Sequence, residues 1–382
     1  MQKVYLDSAA TTQVRAEVIE KMQEALATFY GNPSSTHSFG RSAKTQIEKA
    51  RKTIAKRLNA SPSEIIFTSG GTEADNMILR CAVRDLEIKH IITSKIEHHA
   101  VLHTVEQLEV EYGVKISYVK LNECGTPSLE DLETLLKENS EKTLVSLMHV
   151  NNEIGNMIDI DAFADKCKEY NALFHSDSVQ SIGHWEWDVQ KTKVDFLTAA
   201  AHKFHGPKGI GFAFIRKNIP LKQLIHGGSQ ERGFRAGTEP FHNIVGLEEA
   251  FIQAYDHLDE ERTYVTELKE YFMKELSNAM PGVKYNGNCA DNEKSTYTLV
   301  NACLPLSADK GALLLFQLDI KGIACSKGSA CQSGSAAGSH VLTEILNEED
   351  SQRPSVRFSF SKYNTKEELD YVVACLKEFA NS

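Results

Sequence analysis

The chain has 382 residues, 41% of them hydrophobic and 25% charged, with a net charge of −10; this excludes a disordered segment and provides enough chain for two domains, each with its own core. The acidic balance, with no basic block or stripe, argues against a nucleic-acid surface and points to small molecules or proteins as partners. The most apolar run, Ala312 to Phe316 (ALLLF), is too short to cross a bilayer, and the opening MQKVYLDSAATT has neither the basic nor the apolar region of a signal peptide, so no membrane association is expected and the cytoplasm is the expected compartment.

Short apolar runs with helical periodicity between most of them are expected to be strands at Glu64–Thr68, His90–Thr93, Val114–Lys120, Leu144–His149, Leu173–His175 and Asp195–Thr198. Strands alternating with helices imply an α/β fold with a largely parallel sheet. In such a sheet ligands bind outside the carboxyl ends of the strands, so the polar residues after each run are the ones to weigh.

After the first run comes SGGTEADNMIL, where Gly71 and Thr72 open a helix and its backbone N–H groups can hold a phosphate; an ordinary capping box, Thr72 with Asp75, accounts for the same residues. After the second, SKIEHHAVL places His98 before a helix, either over a flat ring or as a cap. The fifth run leads to Asp177, with Gln180 one turn on, which also reads as a helix N-cap. The sixth leads to HKFHGPKGIGFAFI, with Lys203 between a small-residue strand and a Gly/Pro turn. Neither dinucleotide nor P-loop glycine spacing occurs. Each place has a bland account by itself. Together, a phosphate site, a flat-ring neighbour, a carboxylate and a lysine at successive strand ends match what pyridoxal phosphate requires.

From about Asp259 the texture changes to a long charged amphipathic stretch, DEERTYVTELKEYFMKEL, followed by separate strand and helix patterns; the domain boundary is expected there. Eight cysteines are too sparse for a disulfide scaffold and lack zinc spacing, so no metal site is expected. Cys81, Cys167 and Cys375 sit in helical patterns as small core residues. Cys331, within GIACSKGSACQSGSAAGSH, does not: it lies among Gly, Ser and Ala, where a thiol cannot pack.

Ten motifs in order, VYLDSAATT, YGNPSSTHSFGR, FTSGGTEADN, SKIEHHAVL, MHVNNEIGN, HSDSVQSIG, AHKFHGPKGIG, RGFRAGTEP, SKGSACQSGS and SVRFS, run nearly end to end. In them the chain resembles the cysteine desulfurases of the class V aminotransferase superfamily, in the branch containing the NifS and IscS proteins. The resemblance implies the fold type I of pyridoxal-phosphate-dependent transferases: a mostly parallel seven-stranded sheet in a large domain, residues 14–258, and a smaller α+β domain, residues 1–13 and 259–382, carrying the cysteine loop. It implies pyridoxal 5'-phosphate as cofactor, L-cysteine as substrate, L-alanine as product, and a persulfide on Cys331 for delivery to a protein sulfur acceptor such as an iron-sulfur scaffold.

By the same resemblance Lys203 is the Schiff-base lysine, Asp177 the partner of the pyridinium nitrogen, and His98 the histidine stacked on the ring and able to move protons. Gln180 and Asn152 bond the phenolic oxygen, with Asn152 also near substrate. Gly71, Thr72 and His202 form the phosphate cup, joined by Thr238 from the second subunit of a homodimer, and Arg357 holds the substrate carboxylate with its planar fork. The glycines at 328, 334 and 338 let Cys331 travel from the cofactor to the surface.

Three departures stand out. Ala200 replaces a serine that relatives usually offer to the phosphate, SAAGS replaces a Leu-Glu-Pro segment beyond Cys331, and the chain ends soon after Arg357, without the tail by which IscS-type enzymes contact their scaffold. The acceptor and the pathway therefore stay open. A selenocysteine lyase would share these residues. A class V aminotransferase would not need Cys331, and a binding protein without turnover would not need Lys203, Asp177 and Cys331 together.

Overall fold

The structure, a computed structural model, describes residues 2–327 and 338–381. Its strands are β1 (Val4–Tyr5), β2 (Ile65–Thr68), β3 (His90–Thr93), β4 (Lys115–Tyr118), β5 (Thr143–Ser146), β6 (Leu173–Asp177), β7 (Phe196–Ala200), β8 (Gly211–Ile215), β9 (Lys284–Tyr285), β10 (Leu299–Cys303), β11 (Ile323–Ala324) and β12 (Ser355–Ser359). Its α-helices are α1 (Ala16–Thr28), α2 (Ser38–Arg57), α3 (Gly71–Leu86), α4 (His99–Tyr112), α5 (Leu129–Lys137), α6 (Ile160–Glu169), α7 (Phe241–Asp256), α8 (Leu258–Ala279), α9 (Ala308–Ile320), α10 (His340–Ile345), α11 (Glu348–Ser351) and α12 (Lys366–Asn381).

Seven strands form one sheet in the order β2-β8-β7-β6-β5-β3-β4. The pairs β3/β4, β3/β5, β5/β6 and β6/β7 are parallel, whereas β8 runs antiparallel to both β7 and β2. All six expected strands are present, His90–Thr93 with the expected bounds and the others with ends shifted by one to three residues, and β8 was not expected. The connection from β7 to β8 is ten residues of turn with no α-helix, too short for a crossover, so the chain returns beside β7 in the opposite sense. Strands β2, β3, β5, β7 and β8 are buried at every position, as helices on both faces require, while the edge strand β4 exposes Lys115 and Tyr118.

Helix α2 shows how the cover is built. Ala43, Ile47, Ala50 and Ile54 fall on one stripe and are buried against the sheet, with lysines on the far side. This core gathers apolar residues from Val18 to Leu258. A separate one joins Val4 and Leu6 to Val265, Leu268, Phe272 and Leu276 of α8 and to residues of β10, α9, β12 and α12. The texture change near Asp259 therefore coincides with the junction of α7 and α8. The N-terminus belongs with the second core because β1 pairs in parallel with β11, 319 residues on at Val4↔Ile323, and Asp7 bridges Ser359. Cys81, Cys167 and Cys375 are buried in helices, as expected. Among the described residues no helix is long and apolar enough to cross a membrane.

Candidate active site

A cavity of about 250 Å³ opens at the carboxyl ends of the parallel strands. Gly71 and Thr72 reach it from the start of α3, His98 from the start of α4, and Asn152 from the turn after β5. Asp177 ends β6, Gln180 follows in the next turn, and His202 and Lys203 follow β7. Arg357 enters from β12 and Ala9 and Ala10 from the N-terminal segment, so both cores contribute to the wall. Nine of the eleven site residues expected from the sequence thus line one cavity. Thr238 does not: it lines a second cavity with Phe67, Ser69, Arg235 and Gly237. Cys331 lies outside the described residues.

The phosphate end is shaped by glycines. Gly70, the residue before α3, has φ 154°, which a side chain would not tolerate, and a Cβ on Gly71 would sit 2.7 Å from Cγ2 of Val179. Two glycines therefore let the N-terminus of α3 approach the cavity with bare backbone. Thr72 is in the first turn, not at the cap, and no side chain caps the helix; the expected box with Asp75 is absent, because Asp75 is buried and turned into the cavity. Nδ1 of His202 lies 3.2 Å from Oγ1 of Thr11. Ala200 is buried in the same wall and offers no hydroxyl.

Asp177 lines the same cavity. No helix follows it, so the expected N-cap is replaced by a turn in which Oδ1 accepts from the backbone N–H of Val179 at 3.0 Å. Burial, with Asp75 nearby as the next cause, raises its pKa to about 7. Its neighbour His175, fully buried, is pushed down to about 4 by desolvation.

Lys203 and Gln180 converge on the N-terminal segment. Nζ of Lys203 donates to the carbonyls of Ala9 at 2.6 Å and Ala10 at 2.9 Å, and Nε2 of Gln180 donates to Ala9 at 2.9 Å. The expected cap at His98 is present. It is the N-cap of α4, its Nδ1 accepting from the N–H of Ala100 at 3.1 Å, and it lines the cavity. That bond assigns the proton to Nε2 of the neutral ring, and burial with Lys203 nearby lowers its pKa to about 4.

Arg357 is almost wholly buried. Nη1 donates to the carbonyl of Asn152 at 2.7 Å, Nη2 pairs with Asp7 at 3.0 Å, and Nε has no hydrogen-bond partner. An unpartnered buried guanidinium N–H is the kind of donor a carboxylate satisfies. Asp7, Asp75, Ala9 and Ala10 escaped assignment in the sequence. Asp7, Ala9 and Ala10 lie in VYLDSAATT, a motif with no apolar periodicity, which was the available signal.

The donor set fits pyridoxal phosphate: one cavity is lined by a bare helix N-terminus, a buried carboxylate, histidines and a lysine amine. The aminotransferase class-V family model matches residues 4–372. The chain is 42% identical to a protein of Dictyoglomus turgidum named cysteine desulfurase IscS, over 98% of this chain and 94% of that one. It is 41% identical to the putative cysteine desulfurase IscS 1 of Bacillus subtilis, over 97% and 96%. A solved NifS-like protein superposes with a TM-score of 0.91 at 37% identity, covering both chains fully. A structure described as SspA in complex with cysteine gives 0.82 at 33% identity over 95% of this chain and 100% of that one. Matched along nearly its whole length, with its strand-end residues gathered around one cavity, the chain belongs to the class-V aminotransferase family, in its branch of cysteine desulfurases.

Proposed function

We propose that this desulfurase takes the sulfur of L-cysteine as a persulfide on Cys331 and releases L-alanine, with Lys203, Asp177, His98 and Arg357 in the roles their positions in the cavity support. The carrying observation is that Lys203, Asp177, His98, Gln180 and Arg357, brought together from four strands, line one cavity. Pyridoxal phosphate, when bound, supplies an electron sink that lets the Cα–H bond of an amino acid ionise.

The rest is done by the chain. Gly71, Thr72 and His202 bind the phosphate, and Asp177 holds the ring nitrogen's proton. Nζ of Lys203 anchors the cofactor and, once released, moves the α-proton. Gln180 and Asn152 orient the phenolic oxygen, and His98, with its proton on Nε2, moves a proton at the sulfur. Arg357 fixes the substrate carboxylate. The thiolate of Cys331 then attacks the substrate sulfur: an S–S bond forms, the Cβ–S bond breaks, and Cβ keeps the electron pair and takes a proton, so that cysteine plus thiol gives alanine plus persulfide.

The same reading divides the chain into residues 14–258 and residues 1–13 with 259–382, supported by the separation of the two apolar cores. It makes the protein a homodimer, in which Thr238, away from its own cavity, serves the partner's. It also sends the sulfur to a protein acceptor and places the enzyme in the cytoplasm. Incubating the purified holoprotein with L-cysteine and measuring alanine and protein-bound persulfide tests the function; neither product would overturn it. Sedimentation of a fully active monomer would remove the dimer.

A further inference from the structure

The cavity wall holds a second buried carboxylate that the proposed reaction does not use. Asp75, in the first turns of α3, is 1% exposed and lines the cavity beside Asp177. Its Oδ1 has no hydrogen-bond partner and lies 3.4 Å from Nε2 of His175. His175 is held on both sides, Nδ1 2.9 Å from Oγ of Ser146 and Nε2 3.2 Å from Oγ1 of Thr198.

We propose that Asp75 is a positioning residue that carries the one proton of a buried carboxylate pair, leaving Asp177 as the ionised member available to a protonated ring nitrogen; this rests on the cofactor site proposed above. The surroundings decide which member keeps the proton. Asp177 accepts a backbone N–H on Oδ1 and has Lys203 nearby, both of which favour its charged form, whereas Asp75 has one hydroxyl bond, from Thr198, and no donor on Oδ1. With Nδ1–H of neutral His175 donated to Ser146, Nε2 is left as an acceptor, and a proton on Oδ1 of Asp75 has a place to go. Two like charges buried on the wall of one cavity cannot both form cheaply, and burial raises both carboxylates to about 7. The other ionisable groups that share the cavity with Asp75 and Asp177 are His98, His202, Lys203 and Arg357, and Glu97 after β3 is itself held well above the carboxylate range by burial. Strands β2, β7 and β8, which also pack on α3, carry no ionisable side chain, and the histidines His99 and His103 of α4 stack on one another.

The test compares Asp75→Asn and Asp177→Asn with the parent, reading the thermal midpoint of the apoprotein against pH and the affinity of the apoprotein for pyridoxal phosphate. A carboxyl whose pKa is raised by folding stabilises below its unfolded value and loses that contribution as pH rises through the folded one. Apo Asp75→Asn should therefore melt a few degrees above the parent at about pH 8, the gap narrowing as pH falls and closing near pH 4. It should keep cofactor affinity within about threefold, while Asp177→Asn loses about tenfold or more. A midpoint difference independent of pH, or an Asp75→Asn protein destabilised at both ends, overturns the inference and leaves the function standing. Asp177→Asn with parental cofactor affinity overturns the cofactor site and the inference with it. Should Asp75→Asn not fold, Asp75→Leu takes its place; failure of both neutral replacements to fold overturns the proposal, because a proton-bearing carboxyl is replaceable by a neutral group.

Discussion

Nη2 of Arg357 in β12 lies 3.0 Å from Oδ1 of Asp7, an ion pair between residues 350 positions apart that sets the guanidinium in the wall of the cavity. Removing Asp7 leaves a buried cation with the Asn152 carbonyl as its remaining partner. Asp7→Ala is expected to raise KM for L-cysteine by about tenfold, ~1.4 kcal/mol, with a smaller change in kcat, and Asp7→Asn to fall between. Steady-state kinetics decide; a parental KM in Asp7→Ala would mean the pair does not orient Arg357.

The two cysteines of the glycine-rich stretch should differ in role. Cys325 packs against the second core, and burial with Asp7 nearby pushes its thiol up to about 12, so at neutral pH it holds little thiolate. Cys325→Ala should keep activity within about threefold, losing only the packing of a small group. Cys331→Ala should bind cofactor and substrate yet accumulate no alanine. Mass spectrometry after a short pulse of L-cysteine should find the added sulfur on the Cys331 peptide; an adduct on Cys325 alone would reverse the assignment.

Stability of the apoprotein should fall steeply between about pH 6.5 and 4. Burial lowers His90, His98, His149, His175, His202 and His205 to about 4, so each stabilises fully above its ordinary 6.5 and loses that contribution as pH falls through 4. For fully buried His175 the limit is about 3 kcal/mol. Asp75, Asp177 and Glu97 act in the opposite sense, losing stability as pH rises, but they are fewer. Calorimetry from pH 8 to 4 checks the slope, and a midpoint that rises on acidification would refute it.

Ala200→Ser should tighten cofactor binding. The methyl of Ala200 lines the phosphate end, and a hydroxyl there adds one charge-assisted hydrogen bond worth about 1.5 kcal/mol, or roughly tenfold in retention. The rate of cofactor loss on dialysis, followed by visible absorbance, measures it directly; an unchanged rate would show that a serine here does not reach the phosphate.

The segment leading to Thr238 is held by a buried ion pair. Nη1 and Nη2 of Arg51 grip Glu231 at 2.7 and 2.8 Å, and Glu231 also accepts the backbone N–H of Phe67 in β2. Glu231→Leu, which leaves the buried arginine with Glu48 and the Ile65 carbonyl as partners, should cost about 3 kcal/mol in chemical denaturation, and adding Arg51→Met should recover much of that loss. Equal stability of the single variant and the parent would count against the pair as a structural tie.

Local sequence determined the alternation of strands and helices, the glycine-marked opening of α3 and the residues at each strand end, because periodicity, caps and turns depend on neighbours a few residues apart. On that basis His98, Asp177, Gln180 and Lys203 could be singled out at strand ends, whereas Arg357 was named by the family resemblance alone. What followed Asp177 could not, since a strand end with a polar residue reads the same before a helix as before the turn that is present. The tertiary structure alone decided that β8 runs antiparallel between β2 and β7, that Asp75 turns inward instead of capping its helix, that Asp7 pairs with Arg357 and that Thr238 stands away from its own cavity. Each of these depends on which surfaces meet across long loops, and a chain whose side chains alternate or recur every few residues carries no local mark of the distant partner that packing will bring to it.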